Sequence, residues 1–146
     1  MQMLPIRLNP GQDLRRALEV AVVDAACSAA FVLSGVGSLS LAQLRFAGAS
    51  ALQTLSGDLE ILTLSGSLAP GASHLHASVS NAGGDVVGGH VAYGCTVRTT
   101  AEVLLALLPD WDFAREPDTA TGFDELVVRR KLLRSTDDGA EAASVP

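Results

Sequence analysis

Residues 74–80 read His-Leu-His-Ala-Ser-Val-Ser, a strict alternation of polar and apolar side chains. Successive strand residues point to opposite faces, so Leu75, Ala77 and Val79 share one face and His74, His76, Ser78 and Ser80 the other. A run of turn formers follows, Asn81-Ala82-Gly83-Gly84-Asp85, and then Val86-Val87-Gly88-Gly89-His90-Val91. A hairpin that pairs Ser80 with Val86 sets Leu75 against Val91, Ala77 against Gly89 and Val79 against Val87. The same register puts His76 opposite His90, with Cβ atoms about 5 Å apart. His74 lies two residues along that face, about 7 Å from His76. A slip of one residue would carry His90 to the other face and break the apolar match. The hydrophobic pattern and the histidine placement therefore select the same register.

The chain has three histidines, and all of them lie in this hairpin. Neutral imidazole is a strong ligand for zinc, copper, iron and nickel. Three imidazoles at one point bind a divalent ion, with zinc the expected metal, and leave a position open for water or substrate. The same side chains also read as a hydrogen-bonded polar cluster on a solvent-facing strand. Cys95 is the candidate for a further soft ligand, against its reading as a small buried hydrophobe. Glu60 and Glu102 are the carboxylates that would complete the ligand set or act as general base, against a reading as solvated or ion-paired groups. No nucleophile–base motif of serine or cysteine type is present, so catalytic residues stay unassigned.

Composition narrows the partners. The net charge is −6, with ten basic and sixteen acidic residues and a single lysine, Lys131. That is not the footprint of a chain gripping phosphate backbones by itself. The basic run Arg129-Arg130-Lys131 with Arg134 reads as a local patch or a solvated segment. Two cysteines, Cys27 and Cys95, are too few for a disulfide framework and fit a reducing cytoplasm. The N-terminus lacks the basic region and long apolar core of a secretory signal. Residues 25–44 are uncharged, but serines and glycines interrupt them, so they read as strands rather than a membrane span. The chain is thus expected to be cytoplasmic, with no membrane partner.

The length fits one domain, taken as residues 1–134, with a flexible acidic tail over 135–146. Leu4–Leu8 reads as a first strand. A helix is expected near Asp13–Ala25, with Leu14, Ala17, Leu18, Ala21 and Ala25 as its apolar stripe. Ala30–Leu33 reads as a buried strand, Gly35-Val36-Gly37 as a tight connection and Leu41–Phe46 as the next strand. Ala51–Leu55 and Leu59–Leu68 follow, divided by the hairpin signal Ser56-Gly57-Asp58. Thr96–Leu108 is ambiguous: Thr99-x-x-Glu102 forms a capping box, whereas Val97, Thr99, Thr100 and Val103 suit a strand. Asp110–Gly122 reads as a charged loop and Phe123–Leu133 as a final short apolar element.

The order of these motifs resembles a known family. Gly57-Asp58-Leu59-Glu60-Ile61-Leu62 is similar to the Gly-Arg-Phe-Glu-Ile-Leu signature of the PPC domain, which plants and prokaryotes share and which accompanies AT-hook motifs in plants. The stretch Val86–Val91, the turn Gly35-Val36-Gly37-Ser38, the segment Thr100-Ala101-Glu102-Val103, and Arg115, Asp118 and Gly122-Phe123 resemble further parts of that domain. The likeness spans about residues 4–128. It implies an α+β fold, a mixed and mainly antiparallel sheet with one main helix, assembled as a homotrimer. It also implies that Thr96–Leu108 is a strand and that His74, His76 and His90 match candidate metal ligands of the prokaryotic branch. In the plant branch the AT-hook contacts DNA. This chain has no Arg-Gly-Arg-Pro motif, and Asp58 replaces the signature arginine, so contact with DNA is expected to be weak or indirect. Three functions stay open: a metal-binding trimer, a metal-dependent enzyme on a small-molecule ligand, and a transcription-associated DNA-binding or oligomerisation module.

Overall fold

The computed structural model describes residues 1–132. The expected acidic tail over 135–146 falls outside them. Eight strands and one helix make up the described chain: β1 (Gln2–Leu8), α1 (Leu14–Asp24), β2 (Ala30–Arg45), β3 (Gln53–Leu68), β4 (His74–Ser80), β5 (Val86–Val91), β6 (Thr96–Leu107), β7 (Trp111–Asp118) and β8 (Phe123–Arg130). Strands outweigh helix, but the PPC-like arrangement of a sheet with one helix is as the resemblance implies.

Six strands form a sheet in the order β1-β6-β2-β3-β4-β5, and β5 pairs again with β2. One long strand organises this arrangement. Along one edge β2 pairs with β3. Along the other it pairs first with β6 and then, at Leu44 and Arg45, with Val91 and His90 of β5. The circuit β2-β3-β4-β5 therefore closes on itself and wraps a core that includes Leu39, Leu44, Leu75, Val79 and Val91. The sheet was expected to be mixed. Every pairing between named strands is antiparallel, and parallel geometry occurs only at the isolated bridge Ser28–Asp112.

Helix α1 buries Leu14, Leu18 and Val22, a stripe at helical spacing. Ala25, expected to continue the stripe, is exposed at the C-cap. Asp13 is the N-cap residue: its carboxylate accepts a hydrogen bond from the Arg16 N–H at 2.8 Å. The same carboxylate accepts from the Gly94 N–H. The Leu14 N–H donates to the Cys95 carbonyl at 2.8 Å. The helix entry is thereby tied to the start of β6.

Two expected turns lie inside strands. Gly35-Val36-Gly37 belongs to β2, which runs unbroken from Ala30 to Arg45. At Gly37, where φ is 145°, a Cβ would come within 2.3 Å of the Thr100 carbonyl oxygen. Glycine here serves close strand packing beside register shifts in the β2–β6 pair, not a reversal of the chain. Ser56-Gly57-Asp58 likewise lies within β3, at an irregularity in its pairing with β2. Asp58 forms an ion pair with Arg98 of β6 at 3.0 Å. Thr96–Leu107 is a strand.

Asp110–Gly122, expected to be a loop, is mostly strand β7, paired with β8 from Trp111–Arg130 to Asp118–Phe123. Its charged residues hide an inward position. Phe113 is buried with Ala29 and Ala69 and meets Phe31 edge-on, the ring centroids 5.3 Å apart. This ribbon stands outside the six-stranded sheet and is the second wall of the site described below.

Candidate metal centre

The histidine hairpin adopts the register its alternation dictates. Ser80 pairs with Val86, Val79 with Val87, Ala77 with Gly89 and His76 with His90. Leu75, Ala77, Val79 and Val91 are buried. Their burial fixes which face carries the histidines. Gly89 permits this packing in its own way: a Cβ there would lie 2.7 Å from the Arg45 carbonyl oxygen. The residue is small because β5 presses against β2 at that point.

On the opposite face the three imidazoles converge. One ring nitrogen from each of His74, His76 and His90 lies within 4.8 Å of the others. The Nε2 atoms of His74 and His76 are 3.1 Å apart, a hydrogen bond whose donor depends on the tautomers. Ring centroids are 4.9 Å apart for His74–His76 and for His74–His90, and 5.7 Å for His76–His90. Nδ1 of His90 is the one buried side-chain nitrogen or oxygen without a hydrogen-bond partner among the described residues. A buried ring nitrogen without a partner, on a residue beside two further imidazoles, fits a divalent-metal ligand set.

The surroundings of His90 and His74 favour their neutral forms. Burial, reinforced by the charges of His74, Arg45, Arg15 and His76, pushes His90 down to about 4. Burial also holds His74 below the ordinary imidazole value, helped by Arg115, His76 and Arg15 and opposed by Glu125. Neutral imidazole has the lone pair a metal requires.

Two clefts open on the cluster. The larger, about 530 Å³, is bounded by His74, His90, Arg15, Arg45, Arg115 and Glu125, among others. The smaller, about 370 Å³, is reached by His74, His76, Arg115 and Glu125. Arg115 crosses from β7, donating to the Ser67 hydroxyl at 3.1 Å and lying 3.9 Å from Glu125 of β8. Arg15 reaches from the helix to donate to the carbonyls of Ser73, at 2.8 Å, and Val91, at 3.1 Å. These ties hold the ribbon and the helix on either side of the hairpin.

The other candidate residues lie elsewhere. Glu60 pairs with Ser38 and Ser80, Glu102 with Arg7 and Val36, and neither borders the two clefts. Cys95 is fully buried, its Sγ within hydrogen-bonding distance of the Gln43 N–H and carbonyl, and burial raises its thiol pKa. Glu125 is the carboxylate that borders both clefts, with Asp124 also bordering the larger. It was missed because its ribbon was read as a loop followed by a short apolar element. Arg45 and Arg115 were missed as site residues because only the tertiary pairings bring them to the histidines.

The chain is similar to known proteins along most of its length. It is 49% identical over 129 residues to a bifunctional protein GlmU of Synechococcus sp. (strain JA-2-3B'a(2-13)), covering 88% of this chain and 20% of that protein. The chain thus spans about a fifth of the curated relatives it matches. A hypothetical protein of Salmonella enterica has a similar structure, with a TM-score of 0.87 and 38% identity over 90% of this chain and 95% of the other. A metal-containing protein of Archaeoglobus fulgidus matches with a TM-score of 0.73 and 26% identity over 87% and 94% of the two chains. The family model of the Plants and Prokaryotes Conserved domain, the PPC domain of the sequence comparison, matches residues 1–109, and the chain belongs to that family.

Proposed function

We propose that this chain is a metal-binding member of the family, holding a divalent ion, with zinc expected, on His74, His76 and His90. The observation that carries this reading is the convergence of one ring nitrogen from each of the three histidines within 4.8 Å, with His90 Nδ1 buried and without a hydrogen-bond partner. The Archaeoglobus relative, described as metal-containing, supports it. Such an ion, when bound, polarises a ligand oxygen or lowers the pKa of water. The protein's own part is to favour the neutral forms of His74 and His90, to fix the hairpin through its buried face, and to set Glu125 and the arginines around the opening. The clefts favour small-molecule chemistry over a purely structural ion.

A homotrimer is the proposed assembly, consistent with apolar surface on the sheet. Met3 and Phe31 both pair with Ala106, and Val36 pairs with Glu102. Met3, Phe31 and Val36 remain exposed, the kind of surface that subunit contact covers. Direct DNA binding has less support. Within the basic run, Arg129 is paired with Glu116 and Lys131 with Asp112. Among the described residues, no helix is long and apolar enough to cross a membrane.

Elemental analysis of protein purified without an affinity tag tests the metal. We expect about one divalent ion per chain, in keeping with a single three-histidine site. His90→Ala should lose that ion while retaining the circular dichroism of the parent. Equal metal content in parent and variant would refute the site.

A further inference from the structure

The larger cleft contains a positive group that the fold does not use. Arg45 is the last residue of β2 and pairs with His90 of β5, which in turn pairs with His76 of β4. Residues directly opposite one another in antiparallel strands project to the same face. Arg45, His90 and His76 therefore form one row across three strands, and Arg45 and His90 border the same cleft.

The other two arginines of that cleft are committed. Arg15 donates to two carbonyls, pairs with Glu19 at 3.1 Å and lies over the Tyr93 ring at 4.6 Å. Arg115 is bound to Ser67 and lies near Glu125. Arg45 is exposed and makes no ion pair among the described residues. Asp124 and Glu125 bring acidic charge to the opposite wall, so the cleft sorts its charges rather than being uniformly positive. In a chain of net charge −6, an arginine at the cleft with no ion pair among the described residues marks a place for negative charge on its side of the opening.

We propose that the cleft binds a small organic oxyanion, a carboxylate or a phosphoryl group, and that Arg45 is the residue that recognises it. The proposal rests on the metal reading insofar as the anion has a second point of attachment at the histidine cluster. A guanidinium offers paired N–H donors that match two oxygens of such a group. A neutral ligand would leave the charge of Arg45 unmatched, and a cation would be repelled by it.

Calorimetric titration of the zinc-loaded protein with lactate and with inorganic phosphate tests the assignment, with metal content measured on the same samples. At least one anion should saturate. Saturation by lactate alone assigns a carboxylate, and by phosphate alone a phosphoryl group. Arg45→Gln should weaken binding about tenfold or more, the loss expected for a charge-assisted hydrogen bond, with zinc content and melting temperature unchanged. Arg7→Gln, on β1 and outside the cleft, should leave affinity unchanged. No saturation, equal affinity in the Arg45 variant, or equal weakening in the Arg7 variant would overturn the proposal while the measured zinc leaves the metal site standing. If the parent holds no zinc, the metal reading fails. The same titrations on metal-free protein then decide the role of Arg45 by the same criteria.

Discussion

The histidine hairpin β4–β5 and the ribbon β7–β8 are both antiparallel pairs, and both contribute to the same cleft, yet they are held by different forces. The hairpin sits in a closed circuit of strands, and Leu75, Val79 and Val91 are fully buried. The ribbon forms its own two-stranded sheet, with Phe113 its one fully inward large side chain and Arg115 its polar tie to Ser67. An isolated two-stranded pair is marginal in water, so the ribbon depends on its docking. The three histidines are on the more deeply buried element, whereas Glu125, the nearby carboxylate, is on the one that depends on docking. The site combines a well-buried support with a docked wall.

The sharpest way to break this contrast is to remove one anchor from each region. Leu75→Ala should cost about 2–5 kcal/mol of global stability, the range for a large apolar side chain deleted from a packed core. Urea unfolding measures it. Phe113→Ala should act locally instead: amide exchange should accelerate in β7 and β8 while the protection of β4 and β5 is retained. If both variants loosen the molecule uniformly, the two regions form one cooperative unit and the contrast fails.

A smaller effect concerns pH. The His90 imidazole has a folded-state pKa of about 4 against an ordinary 6.5. In metal-free protein, the unfolded chain therefore takes up this proton first as pH falls. The contribution to stability is complete above about 6.5, declines between 6.5 and 4, and is flat below. His74 is shifted in the same direction. Urea midpoints at pH 7 and pH 5 should fall further apart in the parent than in His90→Ala. An equal difference would show that His90 does not sense the fold.

The smallest expected effect belongs to the ribbon's surface. Arg129 pairs with Glu116 across β7 and β8, both side chains substantially exposed. Arg129→Ala should change stability by less than about 1 kcal/mol, as exposed ion pairs generally do. A larger loss in thermal unfolding would mean that surface charge, not Phe113, holds the ribbon down.

The same contrast explains what could be read from the sequence. In the hairpin, local alternation and burial coincide, so Leu75, Ala77 and Val79 announce the register that unites the histidines. The stripe Leu14 and Leu18 announces the helix for the same reason. Gly37 and Gly57 misled because glycine marks close packing and strand irregularity as readily as a turn. The ribbon was obscured because Asp112, Arg115 and Glu116 are charged on a strand that buries little else than Phe113. Glu60 and Glu102 were plausible by residue type, but their pairings place them away from the cleft. The approach of Arg45 to His90 depends on β2 meeting β5, a contact between segments far apart in the chain that no local pattern encodes.

The pairing of β1 with β6 also governs the order in which the protein can take shape. Gln2 meets Leu107 and Leu8 meets Ala101, so β1 leaves the ribosome well before its partner β6, the last strand of the sheet in chain order. Until then its apolar residues and the edge it offers to β6 are unsatisfied. The histidine hairpin, whose partners are neighbours in sequence, can form well before. Folding should therefore be slow for a chain of this size, with β1 as the late-closing segment and the one most in need of protection during synthesis.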